Sequence, residues 1–422
     1  MPAAPIERVE AREILDNRLE PTLRVTVETP AGTGRADVPR GRSRGDHEAL
    51  DLRDGDDRYR GRGVRRAAAN VAERIAPELV GHDATAQRTV DACLSELDDP
   101  DAPLGGNAIT GVSLAVLRAG AAATDLPLYR YVGGADAHVL PLPFFDLIEG
   151  GELAGGDRPF QEHQVVPVGA DSLAEAVRMA AEVYYELGDI VRAEYGEASL
   201  NVGDEGGYNP LGVDDPRTAF DLELRAIEEC GYGGEFVLAA DVAASHFYDA
   251  ETGTYALLGE RLTRADLIDF YADLVADYPV VSLEDPLHQD DFDGVADLTD
   301  RLDVQVVGDD LFVTTPDRLA RGIDRGAANA LLWKVNQVGT VTDAVEAARL
   351  ATRNGYAVQV SERSGQTPDT WLADLAVGLD AGQIKTGVTR GERTEQYNRL
   401  LEIEAELGDA ATFGPPGEPF DP

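Results

Sequence analysis

Lysine is nearly missing from this chain. Of its 37 basic residues 35 are Arg, and the only lysines are Lys334 and Lys385. Cysteine is as scarce: Cys93 and Cys230 make neither a disulfide framework nor a zinc-binding spacing. No run of 18 apolar residues is free of charge, so hydropathy predicts no membrane-spanning helix. Residues 1–10 carry no basic stretch followed by an apolar core, so no secretory leader is expected. Positive charge is short overall. Against those 37 stand 78 Asp and Glu, a formal net charge of −41, which repels duplex nucleic acid and anionic membrane. What is present is a 43% apolar share in 422 residues, enough for a sizeable core and too much for a charge-disordered chain. The expectation is a globular cytoplasmic protein of two or three domains, or of one small domain and a large barrel.

An acidic, nearly lysine-free composition suits a protein working in concentrated salt, where self-repulsion is screened. It also makes the two lysines informative. Arg stays charged at any practical pH, whereas Lys can shed its proton and act as a base. Lysines that survive in such a chain mark positions where Arg would not serve, chance survival or a buried ion pair being the plain alternative.

Read along the chain, residues 1–45 look like strands. Leu23, Val25 and Val27 alternate with polar residues, and residues 30–34 (PAGTG) signal a turn. Helical periodicity runs from about residue 64 to 80, with further helices at 85–97 and 107–123. This predicts an α+β domain over residues 1–135, with 132–136 as linker. From residue 136 to 412 short apolar runs alternate with helical segments, as in an α/β protein with a parallel sheet. The runs 236–241, 280–284, 304–309, 330–334, 357–361 and 383–385 end on or beside Asp241, Glu284, Asp309, Lys334, Arg363 and Lys385. These polar residues lie 43, 25, 25, 29 and 22 positions apart. One βα unit takes about 25 residues, and a polar residue after each strand is the layout of a βα-barrel with its site at the C-terminal ends of its strands. Residues 413–422 are expected to be disordered.

Asp241, Glu284 and Asp309 put three carboxylates on successive strand ends without His or Cys, a donor set that suits a hard cation such as Mg²⁺. Acidic residues abound here, so three of them at loop starts carry little alone. The cations Lys334, Arg363 and Lys385 on the following strand ends add weight, because a cation cluster opposite a carboxylate cluster suits a metal plus an anionic substrate. Residues 201–207 (NVGDEGG) form a tight turn presenting Asp204 and Glu205, with glycines that would let backbone approach a ligand closely.

In order and spacing, several stretches resemble the enolase family over nearly the whole chain. They are residues 11–16 (AREILD), 52–56 (LRDGD), 106–109 (GNAI), 111–115 (GVSLA), 201–207, 282–286 (SLEDP), 307–311 (VGDDL), 334–337 (KVNQ), 373–378 (ADLAVG) and 382–387 (GQIKTG). The resemblance implies an N-terminal α+β capping domain followed by an enolase-type βα-barrel. It implies Mg²⁺-dependent dehydration of 2-phosphoglycerate to phosphoenolpyruvate, one Mg²⁺ being tightly held and a second arriving with substrate. By the same resemblance Lys334 is the base at C2, Glu205 the acid that assists loss of the C3 hydroxyl, and Glu162 its partner beside Gln161. Asp241, Glu284 and Asp309 hold the first Mg²⁺, and Ser43 reaches the second. Arg363 and Ser364 bind phosphate, and Lys385 the substrate carboxylate. The expected partner is a small anionic phospho-acid, with no nucleic acid or membrane, in a homodimer or higher homo-oligomer. Nearby Mg²⁺ and Lys385 are expected to favour the neutral form of Lys334.

Departures from the family pattern cluster at this site. Leu19-Glu20 replaces Gly-Asn after Arg18, and the loop 40–45 reads RGRSRG. Leu153 and Glu362 replace two family histidines, Glu149 replaces Asn, and Gln366, Pro368 and Gly391 are further changes. Three readings follow: a divergent enolase, a related lyase whose extra anionic substrate group meets Arg40, Arg42 and Arg44, or a binding protein without catalysis.

Overall fold

The computed structural model describes residues 4–155, 158–415 and 420. Strands β1 (Arg8–Leu15), β2 (Pro21–Thr29) and β3 (Gly32–Asp37) form an antiparallel sheet in chain order. Alternation in β2 buries Leu23, Val25 and Val27 on one face. That face packs on the helix Gly106–Ala123, which is buried along almost its whole length. Contact is close enough that a Cβ at Gly34 would lie 2.0 Å from the carbonyl oxygen of Ala115. The helical stretch expected at 64–80 is broken into Arg65–Asn70, a π turn at Val71–Ile75, and Ala76–Leu79. Pro77 explains the break, because it cannot donate to the preceding turn. The expected linker is helical: the α-helix Leu128–Gly133 ends at Gly134, at φ +73°, and a 3₁₀ turn, Gly134–Asp136, follows.

Eight strands then close a barrel in chain order. They are β4 (Leu142–Glu149), β5 (Glu162–Val166), β6 (Val237–Asp241), β7 (Val280–Glu284), β8 (Gln305–Gly308), β9 (Ala330–Trp333), β10 (Ala357–Ser361) and β11 (Gly382–Lys385). The parallel sheet read from the sequence is corrected at one strand: β5 runs antiparallel to both β4 and β6. The connection between β4 and β5 carries a helix of only four residues, Gly151–Ala154, too little for the helical crossover that a parallel return needs. The reversal has a chemical consequence. The parallel strands bring their last residues to one rim, and β5 brings its first. Register therefore sets Glu149 beside Glu162, Glu162 beside Asp241, and Asp241 beside Glu284.

The first 135 residues and the barrel share polar ties as well as core. Ser113 Oγ donates to Asp91 at 2.6 Å and accepts from the Val341 N–H at 2.9 Å, while the Thr342 N–H donates to Asp91 at 2.9 Å. At the far end, Thr412–Phe413 pairs with Val139–Leu140, and the Phe420 ring meets Phe144 at 6.1 Å. The rest of the segment expected to be disordered, residues 416–419 and 421–422, lies outside the described residues.

His163 on β5 is fully buried between Phe160 and Phe220, its Nδ1–H donating to the Ile148 carbonyl. Burial, with a smaller push from Arg158, lowers its pKa to about 3. As pH falls below the unfolded value near 6.5, the unfolded chain takes up this proton first. The stability carried by neutral His163 is therefore whole above pH 6.5 and lost toward pH 3. Between pH 7 and pH 5, His163→Phe is expected to lose on the order of 2 kcal/mol less stability than the parent in urea unfolding. Identical pH slopes for the two proteins would refute the assignment.

Candidate active site

Ten of the eleven residues singled out from the sequence line one cavity at this rim: Ser43, Gln161, Glu162, Glu205, Asp241, Asp309, Lys334, Arg363, Ser364 and Lys385. The eleventh, Glu284, accepts from Lys385 Nζ at 2.7 Å. The same ammonium reaches Glu162 at 3.1 Å and Asp241 at 3.5 Å, so one point charge serves carboxylates from three adjacent strands. Lys334, just after β9, donates to Asp309 Oδ2 at 2.5 Å, and Gln337 donates to Asp309 Oδ1 at 2.7 Å. Asp285 orients that carboxylate from below by accepting the N–H groups of Asp309 at 2.9 Å and Asp310 at 2.7 Å.

The electrostatics follow from burial and these contacts. Burial favours neutral Lys385, but Glu162, Glu284 and Asp241 together hold it well above the ordinary lysine value. Burial lifts Glu162 to about 7 even against Lys385, with Glu205 and Asp241 adding to the rise. Glu284 is pushed up by burial and by Asp241. Lys334 departs from the expectation of a neutral base. Burial pushes it down, as do Arg363 and Lys385, yet Asp309 and Glu284 prevail and its pKa stands above the ordinary value.

The rim suits a hard cation. Its donors are all oxygens, and its carboxylates outnumber its lysines. Among the described residues Glu284 Oε1, Gln161 Oε1 and Glu205 Oε2 are buried without a hydrogen-bond partner. Asp241, Glu284 and Asp309 stand on neighbouring strand ends, but the lysines hold their oxygens here. The carboxylates whose oxygens already lie within 4.8 Å of one another are Asp146, Glu162 and Glu205, and separately Asp285, Asp309 and Asp310. Both oxygens of Asp285 are committed to backbone N–H groups, whereas both oxygens of Asp146 are buried without a hydrogen-bond partner.

Loops from the N-terminal part close over the cavity. Arg363 is held by Glu48 at 2.8 and 3.1 Å and donates to the Ser43 carbonyl at 3.1 Å. Ser364 Oγ accepts from the Arg42 N–H at 2.7 Å and from Arg18 at 3.2 Å, leaving its own proton free to donate. Ser43 Oγ lies 3.0 Å from His246 Nε2. The three loop arginines do not wait for an extra anionic group: Arg40 pairs with Glu20 and Asp51, Arg42 with Asp204, and Arg44 with Glu48. These pairings do not favour the altered-substrate reading.

A Cβ at Gly203 would lie 2.0 Å from Glu149 Oε2, and one at Gly206 would lie 2.4 Å from Thr389 Oγ1, so these glycines let the loop close on protein atoms. Sequence reasoning also passed over Asp146, Gln164, Glu48, Gln337 and Arg393. Glu48, Gln337 and Arg393 meet Arg363, Asp309 and Glu362 from far off in the chain, where spacing carries no signal; Gln164 meets Glu162 from two residues away on the same strand.

Residues 6–132 match the family model described as the enolase N-terminal domain, and residues 137–418 match the enolase C-terminal TIM barrel domain. The chain is 56% identical to an enolase of Methanopyrus kandleri, with 99% of each chain covered. It is 50% identical to an enolase of Thermococcus kodakarensis (98% of this chain, 97% of the other) and 51% identical to one of Methanocaldococcus jannaschii (96% of each). The chain belongs to the enolase family. The names of these relatives lend no support to the concentrated-salt reading.

Leu153 and Glu362, the positions where the resemblance leads one to expect histidine, both face the cavity. Leu153 gives it an apolar wall. Glu362 gives it a carboxyl whose Oε2 is held by Arg393 and by Thr386 at 3.1 Å. Arg393 is fully buried and also donates to the carbonyls of Arg363, Asp204 and Ser364 at 2.9 to 3.1 Å. One guanidinium thus fastens the loop carrying Glu205 to the loop carrying Arg363. Breaking such a buried pair from one side typically costs about 3 to 5 kcal/mol, because it strands the other charge. Arg393→Met is expected to fall in that range by guanidinium unfolding, and adding Glu362→Gln should recover part of the loss. A loss under about 1 kcal/mol would show that the pair does not hold the loops.

Proposed function

We propose that this chain catalyses the Mg²⁺-dependent dehydration of 2-phosphoglycerate to phosphoenolpyruvate, with Lys334 as the base at C2 and Glu205 as the acid at C3. The observation that carries the residue roles is the cavity itself, which Lys334 and Glu205 both line. A proton beside a carboxylate is barely acidic, because its removal piles charge onto that carboxylate. Mg²⁺ held by Asp241, Glu284 and Asp309 would supply the charge that stabilises this build-up. Burial, Arg363 and Lys385 press Lys334 toward the neutral form that a base requires, against Asp309 and Glu284, which hold it charged in this structure. Glu162, lifted to about 7 by burial, has a carboxylate oxygen within 4.8 Å of one of Glu205. Arg363 and Ser364 offer a guanidinium and a hydroxyl proton to a phosphate, and Lys385 offers its ammonium to the substrate carboxylate. Ser43 is proposed to reach a second Mg²⁺ that arrives with substrate. The same reading divides the chain into residues 1–135 and 136–412. It also takes the protein to be a cytoplasmic homodimer or larger homo-oligomer.

Lys334→Ala tests the base directly. General acid–base groups contribute roughly 10²- to 10⁴-fold, so turnover of 2-phosphoglycerate, followed by the ultraviolet absorbance of phosphoenolpyruvate, should fall at least about 10²-fold. Turnover at the parent rate would remove Lys334 from the mechanism, and none from the parent protein would retire the substrate. Mg²⁺ should also stabilise the fold by linkage, by about 2.7 kcal/mol at 100 times its dissociation constant. That gain should shrink strongly in Glu284→Gln, read by thermal unfolding without substrate; an equal gain in both proteins would argue against the strand-end trio.

A further inference from the structure

We infer that Glu149 is a positioning residue: its carboxyl sets where Glu205 stands in the cavity. The inference rests on the reading of Glu205 as the acid. Glu149 is the last residue of β4 and is fully buried. Its backbone is locked on both sides, the N–H donating to the Tyr208 carbonyl at 2.9 Å and the carbonyl accepting from Arg158. Its carboxyl turns beneath residues 201–207. Both oxygens lie 3.2 Å from the Glu205 N–H, and Oε1 also accepts from the Gly207 N–H. These N–H groups, two residues apart, form a cradle closed around one acceptor, a geometry that backbone nests use to hold anions.

The fit is tight enough to demand glycine. A side chain at Gly203 would run into Oε2, and one at Gly207 would come within 3.1 Å of Glu149 Cγ. Loop and carboxyl are therefore built as one unit. Glu149 does not itself line the cavity, so whatever it contributes to the reaction passes through Glu205. On the next strand Gln164 donates to Glu162 at 2.6 Å, so the proposed acid and its neighbour are each held by a buried side chain behind them.

The test separates placement from general support of the fold. Glu149→Met keeps length but removes the acceptor. It is expected to lose about 100-fold in kcat for 2-phosphoglycerate while KM moves less than about threefold, as for an acid displaced by about an ångström. Glu149→Gln restores an oxygen to the cradle and should run about tenfold above the Met variant. In a Glu205→Gln background, Glu149→Met should cost less than about threefold more, since a residue acting through Glu205 has nothing left to place. A Met variant within threefold of the parent overturns the proposal. So does a Gln variant as slow as the Met one, or a full loss repeated in the Glu205→Gln background. Should Glu149→Met fail to fold, Glu149→Asp withdraws the carboxyl by one methylene and should lose about tenfold in kcat; no loss there is equally fatal. If Glu205→Gln alone leaves kcat unchanged, the acid reading falls, and this proposal with it. The other adverse outcomes overturn the role of Glu149 alone.

Discussion

Lys385 holds the rim together. Three buried carboxylates from three adjacent strands converge on its ammonium, at 2.7, 3.1 and 3.5 Å. Without that charge Glu162, Asp241 and Glu284 would face one another at hydrogen-bonded strand positions with little water to screen them. Much of the surrounding structure does the same work with weaker donors. Gln161 donates to Asp241 at 3.0 Å, Gln164 to Glu162, Gln337 to Asp309, and backbone N–H groups to Asp285. The barrel rim is a collection of acids that the fold has to satisfy one oxygen at a time, and its remaining oxygens suit a cation.

This accounts for the composition anomaly. A chain that uses Arg almost everywhere keeps Lys385 where the geometry is not a fork. An ammonium is a compact charge whose three protons can point at three strands, whereas a guanidinium presents its donors in one plane. Where the acceptors do lie in a plane, the chain uses Arg. Arg363 takes both oxygens of Glu48, and Arg393 spans a carboxylate and three carbonyls. Both lysines line the same cavity, and one of them, Lys385, ties three carboxylates together there.

Much of this was legible in advance, and the gaps have physical causes. Six barrel strands announced themselves by an apolar run ending on a polar residue, and those endings include Asp241, Glu284, Asp309, Lys334 and Lys385. The rule fails at β5, which runs backwards, so that its rim residue comes first; Glu162 was reached only through the family resemblance. Glu149 sits at a strand end and fits the rule, but a run as apolar as β4 beside a glycine pair looks like any buried segment. Arg393, Glu48 and Asp285 carry no local signal, because their roles are set by partners that the fold, not the spacing, brings near. The loop arginines misled for the opposite reason. Three cations in six residues suggest an anion, and in an acid-rich chain that anion is supplied from within.

Asp309 shows how these constraints bear on the chemistry. Its carboxylate is the partner that keeps Lys334 charged, at 2.5 Å, and it is also one of the three strand-end carboxylates suited to a cation. It cannot serve both at full strength. A cation drawing on Asp309 weakens the one contact that most favours the charged lysine, while burial, Arg363 and Lys385 continue to press toward the neutral form. Glu284 adds to the hold of Asp309 on the charged lysine, so the state of Lys334 is set by both carboxylates against that pressure.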